Sequence, residues 1–587
     1  MQRMTTRRPV IVAGAGITGL AAARELQAAG REVEVLEAAA TVGGLTRSMH
    51  VGGFTFDYTG HLLHLSRFAS PAEIPHAGLR DQDWQRIARR SSCWLGGTCV
   101  PAPVQYHMGR MPSPLREACM ASYERRPALS THPSSFREWM IAGFGQALAD
   151  AFLIPQNEKS LATSLDRLST DAVRRFFPPP DDTAVRRGFA AHDAPPDEYN
   201  SRFWYPRHGG IGALVDGLAQ GLRGVSVGEG VHAIDLTRRE LRTTRGRTVG
   251  WDTLLSSLPL THLCALSGDP TLVADAAGLT HSATVNINLG IRGALGAAFG
   301  DAHWIYTPQP ELPFYRVGAY SNISRGTCPE GHASVYVEVG VPGDQMDRLD
   351  IAGDLEPRVL DALERLGWLQ REQVVCRATT VIPCAYVHHT PTRDAVVARI
   401  TARLAEHGVR SIGRYGAWDY TSMEDSMLDG IAAAQRNDWA SVIDRFEQAE
   451  QRFHAPVHMR FLAIAYERTH RLMDSANMWR RLAAERPRLG RLHPAETERH
   501  RSLDAERPEL GPAHEAHRHL HDAAGPDDRL RRRRELHHRP HRQHPQPQLL
   551  PLEQRPRPAA RIGHVDSTID DEPAGARRLH PFGHEDR

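Results

Sequence analysis

The chain has 587 residues, 41% hydrophobic and 24% charged, with 71 basic against 69 acidic side chains and a net charge of +2. That is globular composition, and it excludes a wholly disordered or fibrous chain. The balanced charge gives no global reason to expect nucleic acid or a membrane surface as partner.

Residues 9–13 (PVIVA) read as a buried strand, 19–29 (GLAAARELQAA) as a helix with Gly30 suited to its C-terminal cap, and 32–37 (EVEVLE) as a second strand. The turn between the first strand and the helix is Gly14-Ala15-Gly16-Ile17-Thr18-Gly19, a GxGxxG. Gly14 makes the tight turn, Gly16 lets backbone approach a pyrophosphate, and Gly19 lets helix and strand pack closely. The helix N-terminus then meets the phosphates with its positive dipole end. Glu37 closes the second strand, where a carboxylate can accept from a ribose hydroxyl. Strand, glycines, helix, strand and acid in that order predict a dinucleotide site in an α/β fold.

Further on, 135–153 has helical periodicity, and Pro178–Pro180 opens a flexible-looking stretch reaching about Glu198. Residues 211–222 and 395–407 read as helices, and 283–291 and 334–340 as strands. Residues 438–453 and 458–484 are amphipathic helix candidates, and 437–485 reads as a helical extension. It weakly resembles a single tetratricopeptide hairpin, without the second copy such a unit needs. Residues 486–587 are rich in Arg, His and Pro with one aromatic residue, Phe582, a composition that predicts a disordered tail or the product of a shifted reading frame. The run Arg531–Arg534 reads as a solvated charge run, and the histidines lack ligand spacing, so no metal site is expected.

The seven cysteines include no CxxC pair and are odd in number, which predicts a reducing, cytoplasmic setting. No run of 18 apolar residues suggests a membrane span. Lys159 is the only lysine.

The segment after Glu37, Thr41-Val42-Gly43-Gly44-Leu45-Thr46-Arg47, resembles the diglycine motif of the amine oxidase, protoporphyrinogen oxidase and UDP-galactopyranose mutase group of flavoproteins. Three further segments resemble the same group. Gly53 to His64 looks like the segment leading to the flavin ring, with Gly60-His61 and His64 matching the mutase Gly-x-His-x-x-His only in part. Residues 203–214 and Val231-His232-Ala233-Ile234 look like the return to the FAD domain, the Val231 backbone meeting the adenine. Ser411 to Gly430 looks like the C-terminal FAD motif, matched by Gly413, Arg414, Trp418, Tyr420 and Met423, with Glu424 and Asp425 ambiguous.

The resemblance implies FAD as cofactor and a Rossmann-like FAD-binding domain (1–66, 203–265, 396–436) interleaved with an α+β substrate domain (67–202, 266–395). FAD would be held by Gly14, Gly16, Ile17, Thr18, Gly19, Glu37, Gly43, Gly44, Leu45, Thr46, Arg47, Gly60, His61 and Val231, together with the matches of the C-terminal motif. It also implies hydride transfer from a small-molecule substrate to flavin N5. A mutase-like isomerase of nucleotide sugars is the alternative, and an inactive flavin-binding scaffold the third reading. Three residues are candidates for the chemistry. His61 would lie over the flavin. Lys159, in an Asn-x-Lys stretch, is either in the pocket or on the surface. Arg316 either holds an anion or forms a structural salt bridge. Gln156 stands where relatives often carry tyrosine, and Gln105 lacks the aromatic residue usual before it. No nucleic-acid partner and no stable membrane insertion are expected.

Overall fold

The computed structural model describes residues 8–130, 133–170, 180–190 and 201–436, together with 462, 475, 477 and 478. The extension and tail readings beyond 436 lie almost wholly outside these residues, as do Pro178, Pro179 and 191–200.

The chain begins with strand β1 (Val10–Ala13), helix α1 (Ile17–Ala28) and strand β2 (Val33–Glu37). Every side chain of β1 is buried, as a strand covered on both faces requires, and this is why its sequence is a continuous apolar run. β3 (Val225–Val227), β4 (Leu254–Ser256) and β5 (Val409–Ser411) complete a five-stranded parallel sheet, ordered β5-β4-β1-β2-β3. Ile11 pairs with Leu254, and Leu254 with Val409, so three distant segments of chain build one sheet. The dinucleotide turn opens at the carboxyl end of its middle strand, where ligands bind in sheets of this kind.

A seven-stranded sheet forms the second layer system. Its long members are His281–Arg292, His332–Pro342 and Val374–Val387, with the first at the centre of the three. All its pairings are antiparallel except Trp304–Tyr306 with Ser91–Leu95. The expected strands 283–291 and 334–340 fall inside the first two, and the expected helices at 211–222 and 395–407 are Gly212–Ala219 and Arg393–Glu406.

The helix expected over 135–153 is broken. Phe136–Phe144 ends at Gly145, whose φ is +81°, because a Cβ there would stand 2.7 Å from the backbone of Ser122 and Tyr123. The chain restarts at Gln146, passes a π-type turn at Ala149–Leu153 and continues as Ile154–Leu161. Periodicity carries through such a break because the apolar face resumes beyond it.

Two buried carboxylates tie the segments around the site. Asp57 accepts from Ser48 Oγ at 2.6 Å, Tyr205 Oη at 2.7 Å and the Ile211 amide at 3.0 Å. Glu424, in the helical stretch 423–436, accepts from the amides of Ser66, Arg67 and Phe68. Neither carboxylate is exposed to solvent, and each is satisfied by hydrogen bonds, as buried charge demands. No helix among the described residues is long and apolar enough to cross a membrane.

Candidate active site

Gly14 has a φ of +96°, and a Cβ on it would fall 2.5 Å from Ser257 Oγ. On Gly19 it would fall 2.0 Å from the Gly14 carbonyl oxygen. Gly16 differs. The nearest atom to a Cβ there is the Gly44 Cα at 3.9 Å, so the face of Gly16 is open to the cavity. Gly16 bridges Gly43, whose amide donates to the Ala15 carbonyl at 2.7 Å. Gly43 and Gly44 have φ of +111° and +56° and bring a second backbone turn against the first. Glu37 closes the arrangement, its two oxygens accepting from the amides of Ala15 and Ala39 at 2.8 Å each. Arg47 donates from Nε to the Gly44 carbonyl at 2.8 Å and lies 4.7 Å over the Tyr58 ring.

These residues line one wall of a cavity of about 1060 Å³. Of the predicted residues, Gly14, Gly16, Ile17, Thr18, Glu37, Gly43, Gly44, Leu45, Thr46, Arg47, Gly60, His61, Arg316, Arg414, Tyr420 and Met423 line it. Gly19, Val231, Gly413, Trp418 and Lys159 do not. Gly413 acts from behind: its φ is +76°, a Cβ would meet Thr18 Oγ1 at 2.4 Å, and its amide donates to Asp429 Oδ2 at 2.6 Å. It therefore packs the C-terminal segment onto α1. Trp418 is fully buried, edge-on to His281 at 5.9 Å. Val231 follows two residues after Glu229, whose amide donates to the Glu37 carbonyl at 2.7 Å.

Lys159 lies on the helix Ile154–Leu161, and its Nζ donates to the carbonyls of Thr307, at 2.6 Å, Gln309, at 2.9 Å, and Phe314. Burial pushes its pKa down to about 7. The structure gives it the task of gripping the connection between two cavity-lining tyrosines, Tyr306 and Tyr315, and it offers no group to the cavity itself. Arg316 resolves as an ion pair with Glu338, donating from Nη2 to Oε1 at 2.7 Å and from Nε to Oε2. The Gly60 amide also donates to Glu338 Oε1, at 3.3 Å, which holds the Gly60-His61 step at the cavity. Burial pushes the His61 pKa down to about 4, so its imidazole is neutral at ordinary pH.

Arg414 donates to the Thr421 carbonyl at 2.6 Å and lies 4.3 Å from the Tyr420 ring and 5.8 Å from the Tyr386 and Tyr415 rings. Tyr386 and Tyr420 stack at 5.7 Å. The sequence reading missed Glu338, Tyr386 and His389, which is 3.4 Å from Asp419. Glu338 carried a signal, being the one charged residue in the apolar run SVYVEV.

The sequence profile of flavin containing amine oxidoreductases matches residues 17–436, most of the chain and all of the cavity's C-terminal wall. The chain belongs to this family. A putrescine oxidase from Kocuria rosea is 41% identical over 88 residues, 15% of this chain and 18% of that relative, so the match spans a small part of its length. A reduced UDP-galactopyranose mutase structure superposes with a TM-score of 0.68 and 27% identity, covering 73% of this chain and 95% of the mutase. Cyclohexylamine oxidase from Brevibacterium oxydans superposes with a TM-score of 0.52 and 14% identity over 73% of this chain and 98% of the oxidase, a likeness of fold.

FAD is the cofactor of this flavoprotein family, and the residues present fit it. Open space at Gly16 flanked by Gly43 and Gly44, the N-terminus of α1, and Glu37 at the end of β2 make a cradle that a single Cβ would fill.

Proposed function

We propose that this amine oxidoreductase family member is an FAD-dependent oxidoreductase that removes a hydride from a small-molecule substrate. The observation that carries this reading is continuity: one cavity is lined at one side by Gly16, Gly44 and Arg47 and at another by Phe152, Gln156 and Tyr306. Bound FAD supplies a two-electron acceptor. Gly14, Gly16, Gly43 and Gly44 would hold its pyrophosphate, Glu37 its ribose, and Arg47 and Arg414 would supply positive charge. Glu338 positions Gly60 and His61 through the Gly60 amide. His61, neutral, adds a dipole without adding charge. Phe136, Phe144, Phe152 and Leu161 keep water from the substrate.

A nucleotide-sugar isomerase of the mutase type is the second reading. It is favoured by the 27% identity to the mutase structure and by the Arg414, Tyr386 and Tyr420 cluster at the cavity. The two separate on one experiment. UDP added to the dithionite-reduced holoprotein leaves its spectrum unchanged if the oxidoreductase reading holds. A saturable UDP-dependent change moves the assignment to the isomerase.

A further inference from the structure

We infer that Arg393 is a positioning residue for the cavity: it pins the turn at Trp418 and so sets the place of the Arg414 guanidinium and the Tyr420 ring beside the bound flavin. This rests on the proposed seat of FAD in the cavity, and goes beyond it by naming a residue outside the cavity wall that governs the charge there.

Trp418 is held in a conformation that its side chain disfavours. Its φ is +52°, in the left-handed region, where a bulky residue is a genuine outlier. It follows the short helix Gly413–Gly416 and Ala417, at the place where helices commonly end on glycine, and the Asp419 amide closes the turn on the Arg414 carbonyl at 2.8 Å. Two things hold the strained residue. Its indole is fully buried, in the apolar cluster that includes Leu260 and Val387. Its carbonyl accepts from Arg393 Nε at 2.9 Å and from Nη2, and Nη2 also donates to the Ala417 carbonyl at 2.8 Å.

Helix preference does not account for Arg393. It is the first residue of the helix Arg393–Glu406, the end at which the helix dipole disfavours a cation. Asp394 takes only Nη1, at 2.6 Å, and is mostly exposed. The remaining edge of the guanidinium, on a side chain 14% exposed, engages the two carbonyls of the turn, a task suited to a rigid planar fork.

The residues after the turn hold Arg414. The Thr421 carbonyl accepts from Arg414 Nη1 at 2.6 Å, the Tyr420 ring lies 4.3 Å from the guanidinium, and Tyr420 stacks on Tyr386 at 5.7 Å. Arg414, Tyr420, Thr421 and Tyr386 line the cavity, whereas Arg393, Ala417 and Trp418 do not. Arg316 is neutralised by Glu338, but among the described residues no carboxylate pairs with Arg414, so its charge is open to a ligand. Return of Trp418 to an ordinary conformation would redirect the chain at that point and carry Tyr420, Thr421 and the guanidinium out of place.

The test reads the reduction potential of the flavin in full-chain holoprotein, equilibrated with a dye of known potential during reductive titration. Reduction adds negative charge to the flavin, so a cation in the same cavity raises the potential. Arg414→Met is expected to lower it. Arg393→Met is expected to lower it by most of that shift, and to add no further shift in the Arg414→Met background, because it acts through Arg414. Arg393→Lys keeps the charge and loses the fork, and is expected to give a smaller shift in the same direction, equally absent in the Arg414→Met background. A merely structural role would lower the urea midpoint and leave the potential unmoved. The proposal is overturned if Arg414→Met leaves the potential unchanged, if neither Arg393 variant shifts it, or if the Arg393 shift persists undiminished in the Arg414→Met background. Failure of the underlying flavoprotein reading is distinct, since it appears as the absence of flavin before any titration.

Discussion

Arg316 and Glu338 sit opposite one another in register on adjacent antiparallel strands, and the guanidinium grips both carboxylate oxygens. The carboxylate is wholly buried, so removing one partner leaves the other uncompensated. Arg316→Ala is expected to cost roughly 3–5 kcal/mol of unfolding free energy, measured by urea denaturation. Arg316→Met combined with Glu338→Leu is expected to recover most of that loss. A double variant no more stable than the single would count against this account of the pair.

The glycines of the turn separate by their surroundings. Gly19→Ala places a Cβ 2.0 Å from the Gly14 carbonyl oxygen and is expected to give little folded protein. Gly16→Ala meets nothing closer than 3.9 Å, so it is expected to fold with an unchanged circular dichroism spectrum while losing bound flavin. Full flavin content in Gly16→Ala would place the pyrophosphate elsewhere.

Lys159 is expected to act on stability and not on cofactor binding. Lys159→Met leaves the Thr307 carbonyl without a donor, while the Gln309 and Phe314 carbonyls keep the Leu312 amide and the Thr307 hydroxyl, and the expected cost is roughly 1–3 kcal/mol. Flavin content per protein is expected to stay unchanged. An unaltered denaturation midpoint would contradict the gripping role.

Acid should destabilise the fold through its buried histidines. Burial pushes His61, His64, His303, His388 and His389 down to about 4 from 6.5. Between those values the unfolded chain binds more protons than the folded one, so the stabilisation is complete above 6.5 and is lost as the pH falls toward 4. Asp57 works in the opposite sense. Burial raises it to about 6 from 3.8, so it favours the fold increasingly as the pH falls through that window. Urea midpoints measured at pH 7, 6 and 5 are expected to decline, and Asp57→Asn, which lacks the opposing contribution, is expected to decline more steeply. A flat profile would contradict the assignment of neutral histidines.

The glycine-rich wall of the cavity was legible because its geometry is local. The turn Gly14 to Gly19, Glu37 and the diglycine at 43–44 lie within 31 residues, and each glycine answers a backbone demand that sequence spacing encodes. The opposite wall was not, because it is assembled by tertiary pairing. Arg316 gave no sign of its partner until the strands His332–Pro342 and Arg316–Ala319 were in register. Lys159 looked reactive because it is the only lysine, yet its ammonium faces three carbonyls from a connection some 150 residues away. Gly145, within an unbroken helical pattern, ended a helix because the backbone of a neighbouring helix presses on it.

The central claim is that this chain holds FAD in the cavity bounded by Gly16, Gly44 and Arg414. The most direct measurement is the visible spectrum of the purified full chain before and after dithionite, with the cofactor released and identified by mass. The account predicts a flavin absorption that dithionite bleaches and one FAD per chain. A colourless protein that takes up no FAD on reconstitution would contradict it.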